Sequence, residues 1–146
     1  MNKQLTLINN NNAIFTLSRM SKKNQLCYYL CEDILRYRKL INKFGDQYEI
    51  RNLSGEFEIT LNGIKSQFLK LMDHINKKYT SELWWSGSIA SRSGSATLLI
   101  RDITYLFCAN KILSEKNTDL IFIVESNALS NCISTLGKQA GFEIFK

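Results

Sequence analysis

Leu120-Ile121-Phe122-Ile123-Val124-Glu125-Ser126-Asn127 is the stretch on which the fold turns. Its first five residues are apolar without a break, and three of them are β-branched. A strand with one solvated face would alternate. An unbroken apolar run fits a strand covered on both faces, as parallel sheets provide. Glu125-Ser126-Asn127 then ends the run in polar residues. Ser126 or Asn127 can cap a following helix, because a short side-chain oxygen accepts from an orphan N–H of the first turn. Leu129, Cys132, Ile133, Leu136 and Ala140 fall on one face of that helix. Gly141 stands where a helix leaves through a left-handed residue. Phe142-Glu143-Ile144-Phe145 supplies another strand.

Working backwards, residues 96–115 carry a long helical pattern, and a polar loop at residues 86–95 precedes it. Residues 82–85 read as a strand before that loop. The region 84–146 is therefore strand, loop, helix, strand, helix, strand. Such alternation predicts a parallel sheet with helices packed on it.

The amino-terminal part reads less clearly. Gln4-Leu5-Thr6-Leu7-Ile8 suits a first strand, and Asn9 to Asn12 a loop. Residues 13–17 suit a second strand or an alternative to the first. From residue 24 to 44, Leu26, Leu30, Ile34, Tyr37, Ile41 and Phe44 follow steps of three and four and predict one helix. Phe57-Glu58-Ile59-Thr60-Leu61 alternates like a short strand, and Asn62-Gly63 is turn chemistry. Ile64, Phe68, Met72, Ile75 and Tyr79 define another amphipathic helix. The elements together predict a single three-layer, Rossmann-like α/β domain over residues 1–146, with a mostly parallel sheet of four or five strands.

At 146 residues and 45% hydrophobic content, the chain is long enough for one substantial core. The amino terminus lacks an apolar signal core, which makes the cytoplasm the expected compartment. Four cysteines without a CxxC pair, and a lone histidine, His74, argue against zinc and predict buried, reduced thiols. The net charge of +6 is spread along the chain. It suits a solvated face, a phosphorylated ligand or peripheral contact with the anionic inner face of a membrane. No nucleic-acid motif is present, so nucleic acid is not an expected partner.

The loop at residues 86–95 holds five serines, two glycines and one arginine. It follows a predicted strand and leads into a helix. Open α/β sheets bind ligands at the carboxyl ends of their strands, and helix N-termini attract anions. The candidate ligand-binding residues are Trp85, Ser86, Ser88, Ser91, Arg92 and Ser93 from this loop, with Glu125, Ser126 and Asn127 after the central strand. Arg92 offers a two-pronged grip on phosphate or carboxylate. The bland reading is that these serines and glycines are ordinary loop residues and that Ser95 or Thr97 caps a helix. The loop matches neither a P-loop nor a GxGxxG fingerprint, and no cofactor or metal is expected. No catalytic residue is assigned.

Trp84-Trp85-Ser86, then Ser91-Arg92-Ser93, then a long apolar helix and a strand, resemble the amino-terminal part of bacterial surface-carbohydrate biosynthesis proteins. These are transferases of lipopolysaccharide and capsule clusters. The resemblance covers roughly residues 64–146. It implies a two-domain glycosyltransferase of two Rossmann-like halves, the first facing the acceptor and the second holding most of the nucleotide-sugar site. This chain would then be the acceptor-side domain or fragment, inactive alone. Its expected partners are a carbohydrate or phosphorylated acceptor and a carboxyl-terminal transferase half. Read without the resemblance, the same features fit a small α/β binding or regulatory module for a phosphorylated ligand or a partner protein.

Overall fold

The structure is a computed structural model, and it describes residues 3–20, 25–81 and 99–146. The chain divides into two compact units. One comprises Met1–Leu53 and Ala109–Lys146, and the other Ser54–Cys108.

The first unit is built on a five-stranded sheet. Its strands are β1 (Lys3–Asn9), β2 (Gln25–Leu30), β3 (Tyr48–Asn52), β4 (Leu120–Val124) and β5 (Phe142–Phe145). The order is β3-β2-β4-β1-β5, and every pairing is parallel. The run at residues 120–124 is the middle strand, with all five residues buried. Its position follows from its composition. Only the centre of a sheet covered on both faces can bury five consecutive apolar side chains.

Helices α1 (Ala13–Arg19) and α2 (Ile34–Phe44) follow β1 and β2. They share one core with Ile8, Cys27, Tyr29, Ile121 and Ile123, through Ala13, Leu17, Leu40 and Phe44. Tyr48 joins that core and donates its hydroxyl to the Leu17 carbonyl at 3.2 Å. The alternate residues of the strands, such as Leu5, Leu7, Leu120 and Phe122, point to the opposite face. The helix after β4 (Asn127–Gln139) packs there, on β5, β1 and β4. Its Gly137 lets the backbone approach closely. A Cβ at that position would sit 2.6 Å from Leu5 Cδ2 and 2.8 Å from Ile144 Cδ1. This unit is therefore a three-layer, Rossmann-like α/β fold.

The second unit contains α3 (Ser54–Lys78) and residues 99–108 of α4 (Leu99–Glu115); the helix after β4 is α5. Phe57 and Tyr105 pack with ring centroids 4.7 Å apart and planes tilted by 49°, and the Cys108 thiol lies 3.5 Å from Thr60 Oγ1. Phe68, Met72 and Thr104 are buried.

Four expectations need correction. Residues 13–17 form a helix: Ala13 and Leu17 are buried at helical spacing beside the sheet. Residues 24–44 are not one helix. They hold β2, a break at residues 31–33 and then α2. Leu26 and Leu30 match the helical period by coincidence within a continuous run, which pairs with β3 on one side and β4 on the other. Residues 57–61 and the Asn62-Gly63 pair lie inside α3, where Phe57 and Thr60 share a face directed at Tyr105 and Cys108. The strand that precedes α3 is β3, with Tyr48 and Ile50 facing the core and Glu49 and Arg51 solvated. Finally, Cys132 is exposed on α5, whereas Ser134 and Gly137 are buried with Leu129 and Ile133. Cys27, Cys31 and Cys108 are buried free thiols, as expected. The predicted strand at residues 82–85 lies outside the described residues.

Candidate functional site

Because all five strands run in parallel, their carboxyl ends share one edge. β5 stops early there, since Phe145 pairs with Thr6, three residues before Asn9. Asn9 and Leu30 both pair with Val124, so β1, β4 and β2 end at the same level. The helices after β1 and β2 leave to one face, and the helix after β4 leaves to the other. The chain direction thus switches on both sides of β4. Such switch points open the crevices in which α/β sheets bind ligands.

The residues following each strand are held by specific hydrogen bonds. After β1, Asn9 Oδ1 accepts from the Asn11 N–H at 2.9 Å and caps a three-residue 3-10 turn, Asn10–Asn12. Asn11 Oδ1 accepts from Arg36 Nη1 at 2.9 Å. After β2, Asp33 caps α2 by accepting from the Arg36 N–H at 2.9 Å, and its other oxygen lies 3.8 Å from Arg36 Nε. Tyr29 donates its hydroxyl proton to the Asp33 carbonyl at 2.9 Å. The Cys31 thiol donates to the Ile123 carbonyl at 3.4 Å. After β4, Ser126 Oγ accepts from the Leu129 N–H at 3.0 Å as the cap of α5. Glu125 and Ser126 are half-buried, and Asn127 is exposed.

The electrostatics follow from this crowding. Burial pushes the Tyr29 hydroxyl above the ordinary tyrosine range, and Cys31, Asp33 and Glu125 push it the same way, while a side-chain hydrogen bond with Asn10 opposes them. The described charged groups just after β2 and β4 are the acids Glu32, Asp33 and Glu125 and the base Arg36, which is paired with Asp33 and Asn11. Acceptors therefore outnumber the one base beside the end of β4. The N-terminus of α2, a potential anion site, already faces the Asp33 carboxylate. Among the described residues, no group of three or more His, Cys, Asp or Glu side chains could hold a metal.

Glu125, Ser126 and Asn127 stand at the carboxyl edge, where their place after an apolar strand puts them. Trp85, Ser86, Ser88, Ser91, Arg92 and Ser93 lie outside the described residues. Asn10, Asn11, Tyr29, Asp33 and Arg36 belong to the edge and were not singled out by the sequence reading. A signal for them exists: polar residues follow apolar runs at Asn9 and at Glu32-Asp33. Reading residues 24–44 as one helix hid the second of these.

Comparisons with protein-family models, curated proteins and solved structures returned no match to this chain. Among the described residues, no helix is long and apolar enough to cross a membrane.

Proposed function

We propose that this chain is an acceptor-side glycosyltransferase domain that holds the hydroxyl groups of a sugar at the carboxyl edge of its sheet. The observation that carries this reading is the double switch point at β4, ringed by acceptors from Asn11, Asp33 and Glu125. Hydroxyls donate to carboxylates and amide oxygens without bringing charge, whereas a phosphate would approach acids at close range. The resemblance of Trp84-Trp85-Ser86 and Ser91-Arg92-Ser93 to surface-carbohydrate transferases supports the same class. It places the nucleotide-sugar site in a second half, which becomes the natural partner. The net charge of +6 suits an acceptor presented at an anionic membrane surface.

A second reading, a binding module for a phosphorylated ligand, draws on the N-terminus of α5. A neutral serine caps that terminus and leaves its positive end uncompensated by the cap.

Two-dimensional NMR separates the two. Methyl glycosides should move the backbone signals of Asn11, Glu125, Ser126 and Asn127, and inorganic phosphate should not. The isolated chain should transfer no sugar from a nucleotide sugar. Shifts with phosphate alone would establish the second reading, and steady turnover by the isolated chain would refute the need for a donor half.

A further inference from the structure

Helices α1 and α2 pack against each other on one face of the sheet and bury Ala13, Leu17, Leu40 and Phe44 in a shared core. Helical spacing sets what they turn outward. On α2, Leu35, Arg38, Lys39 and Asn42 stand three and four residues apart, on the side away from Leu40 and Phe44, and all four are exposed. On α1, Phe15 and Arg19 are one turn apart and face away from Ala13 and Leu17, with the Arg19 guanidinium 3.9 Å over the Phe15 ring. Large apolar groups are thus left in water on this face. Leu35 is 71% exposed, Ile34 59% and Phe15 58%.

The same two helices hold five cations, Arg19, Arg36, Arg38, Lys39 and Lys43, and no Asp or Glu. Asp33 takes up Arg36. Glu32 and Asp46 flank α2 in sequence, yet among the described residues no carboxylate pairs with Arg19, Arg38, Lys39 or Lys43. The helix on the opposite face of the sheet gives the contrast. The exposed positions of α5 are small or polar, among them Ala128, Asn131 and Thr135, and Lys138 is its one cation. α5 therefore presents an ordinary solvated surface, whereas α1 and α2 mix unpaired cations with exposed apolar side chains.

We propose that the outward face of α1 and α2 docks on an anionic lipid bilayer. Arg38, Lys39 and Lys43 meet the lipid phosphates, and Leu35, Ile34 and Phe15 enter the headgroup layer. The arginine and lysine stems lie along that layer with their charged ends in water. Nucleic acid would satisfy the cations, but its phosphate backbone offers no apolar medium for Leu35 and Ile34. A bilayer supplies both, and its mobile headgroups gather around cations without a matched surface. Ile34 and Leu35 lie in the first turn of α2, which starts at the carboxyl edge of the sheet, so docking sets that edge beside the bilayer. The proposal stands independently of the sugar-site reading.

The test is co-sedimentation of the full chain with vesicles of phosphatidylcholine alone and of phosphatidylcholine mixed with phosphatidylglycerol. The mixed vesicles should bind the chain, and the neutral ones should bind it more weakly by about tenfold or more. The double variant Arg38→Gln/Lys39→Gln should weaken binding to mixed vesicles by about 25-fold, or about fivefold for each charge removed. Leu35→Gln should weaken it severalfold, by a factor that added salt leaves unchanged, because salt screens charges and not apolar burial. Lys138→Gln, on α5, should bind as the wild type does. All these positions are exposed, so melting temperatures should stay near that of the wild type. Equal binding to both kinds of vesicle, or to neither, overturns the proposal. So does binding that Arg38→Gln/Lys39→Gln and Leu35→Gln leave untouched, or that Lys138→Gln weakens as much as they do. Duplex DNA that binds more tightly than the mixed vesicles and is insensitive to Leu35→Gln would overturn it in favour of nucleic acid. The glycoside titration tests the sugar site separately, so failure of one reading leaves the other standing.

Discussion

Replacement of Ile123 probes the interior position of β4 directly. Its side chain is completely buried. The register sets it between Ile8 of β1 and Tyr29 of β2, in the core shared with Leu17, Leu40 and Phe44. Ile123→Val removes one methyl group and should cost about 1 kcal/mol. Ile123→Ala strips the side chain back to Cβ, with an expected cost of about 2–5 kcal/mol. The upper part of that range applies, because hydrogen-bonded strands flank the cavity on both sides and resist collapse. Ile123→Asp places a carboxylate with no cationic partner in the same space. A domain's whole stability is roughly 5–15 kcal/mol, so this change should leave little or no folded population. Ile59, 76% exposed on α3, is the control, and Ile59→Ala should stay within about 0.5 kcal/mol of wild type. Urea unfolding followed by circular dichroism measures the series. A cost for Ile123→Ala no larger than the control, or a native-like transition for Ile123→Asp, would remove β4 from the interior and refute the reasoning.

Burial pushes the Cys27 thiol from 9.0 up to about 12. The folded value lies above the unfolded one, so the neutral thiol stabilises fully below pH 9 and that stability is lost as pH rises toward 12. Urea midpoints should fall across this window and fall less steeply in Cys27→Ala; equal slopes would dismiss the thiol as a cause. Thiol titration with a disulfide reagent should find Cys132 fast and Cys27, Cys31 and Cys108 slow until denaturant is added. Fast reaction at a second cysteine would show that its burial is wrong. Gly141 has φ of 81°, so Gly141→Ala should cost about 1 kcal/mol in thermal unfolding through backbone strain, because nothing lies within 4 Å of the added Cβ. A neutral result would place the end of α5 in another conformation.

The carboxy-terminal part of the sheet was readable because its residues carry their own boundary marks. Five consecutive apolar side chains, a capping serine and a left-handed glycine each have few structural solutions. They agreed on β4, α5 and β5, and they put Glu125, Ser126 and Asn127 at the carboxyl edge of the sheet. The amino-terminal half lacked that agreement. Leu26, Leu30 and Ile34 satisfy the helical period as well as a buried strand does, and the alternation of residues 57–61 gives way to a helix face directed at Tyr105 and Cys108. Periodicity describes which side chains are apolar. It does not say how many faces will be covered.

The order β3-β2-β4-β1-β5 was beyond sequence for the same reason. Strand neighbours are chosen by which faces can be buried together, and β4 takes the centre because it is apolar on both. That placement also decided the candidate site. Asn10, Tyr29 and Glu125 are scattered along the chain, and the first two read locally as a loop residue and a packing residue. They converge because parallel strands end on one edge and because β4 separates β1 from β2. The sequence by itself determined a parallel α/β sheet with a polar turn after its central strand. Which side chains meet at that turn was decided by tertiary structure, since strand order is set by burial over the whole sheet.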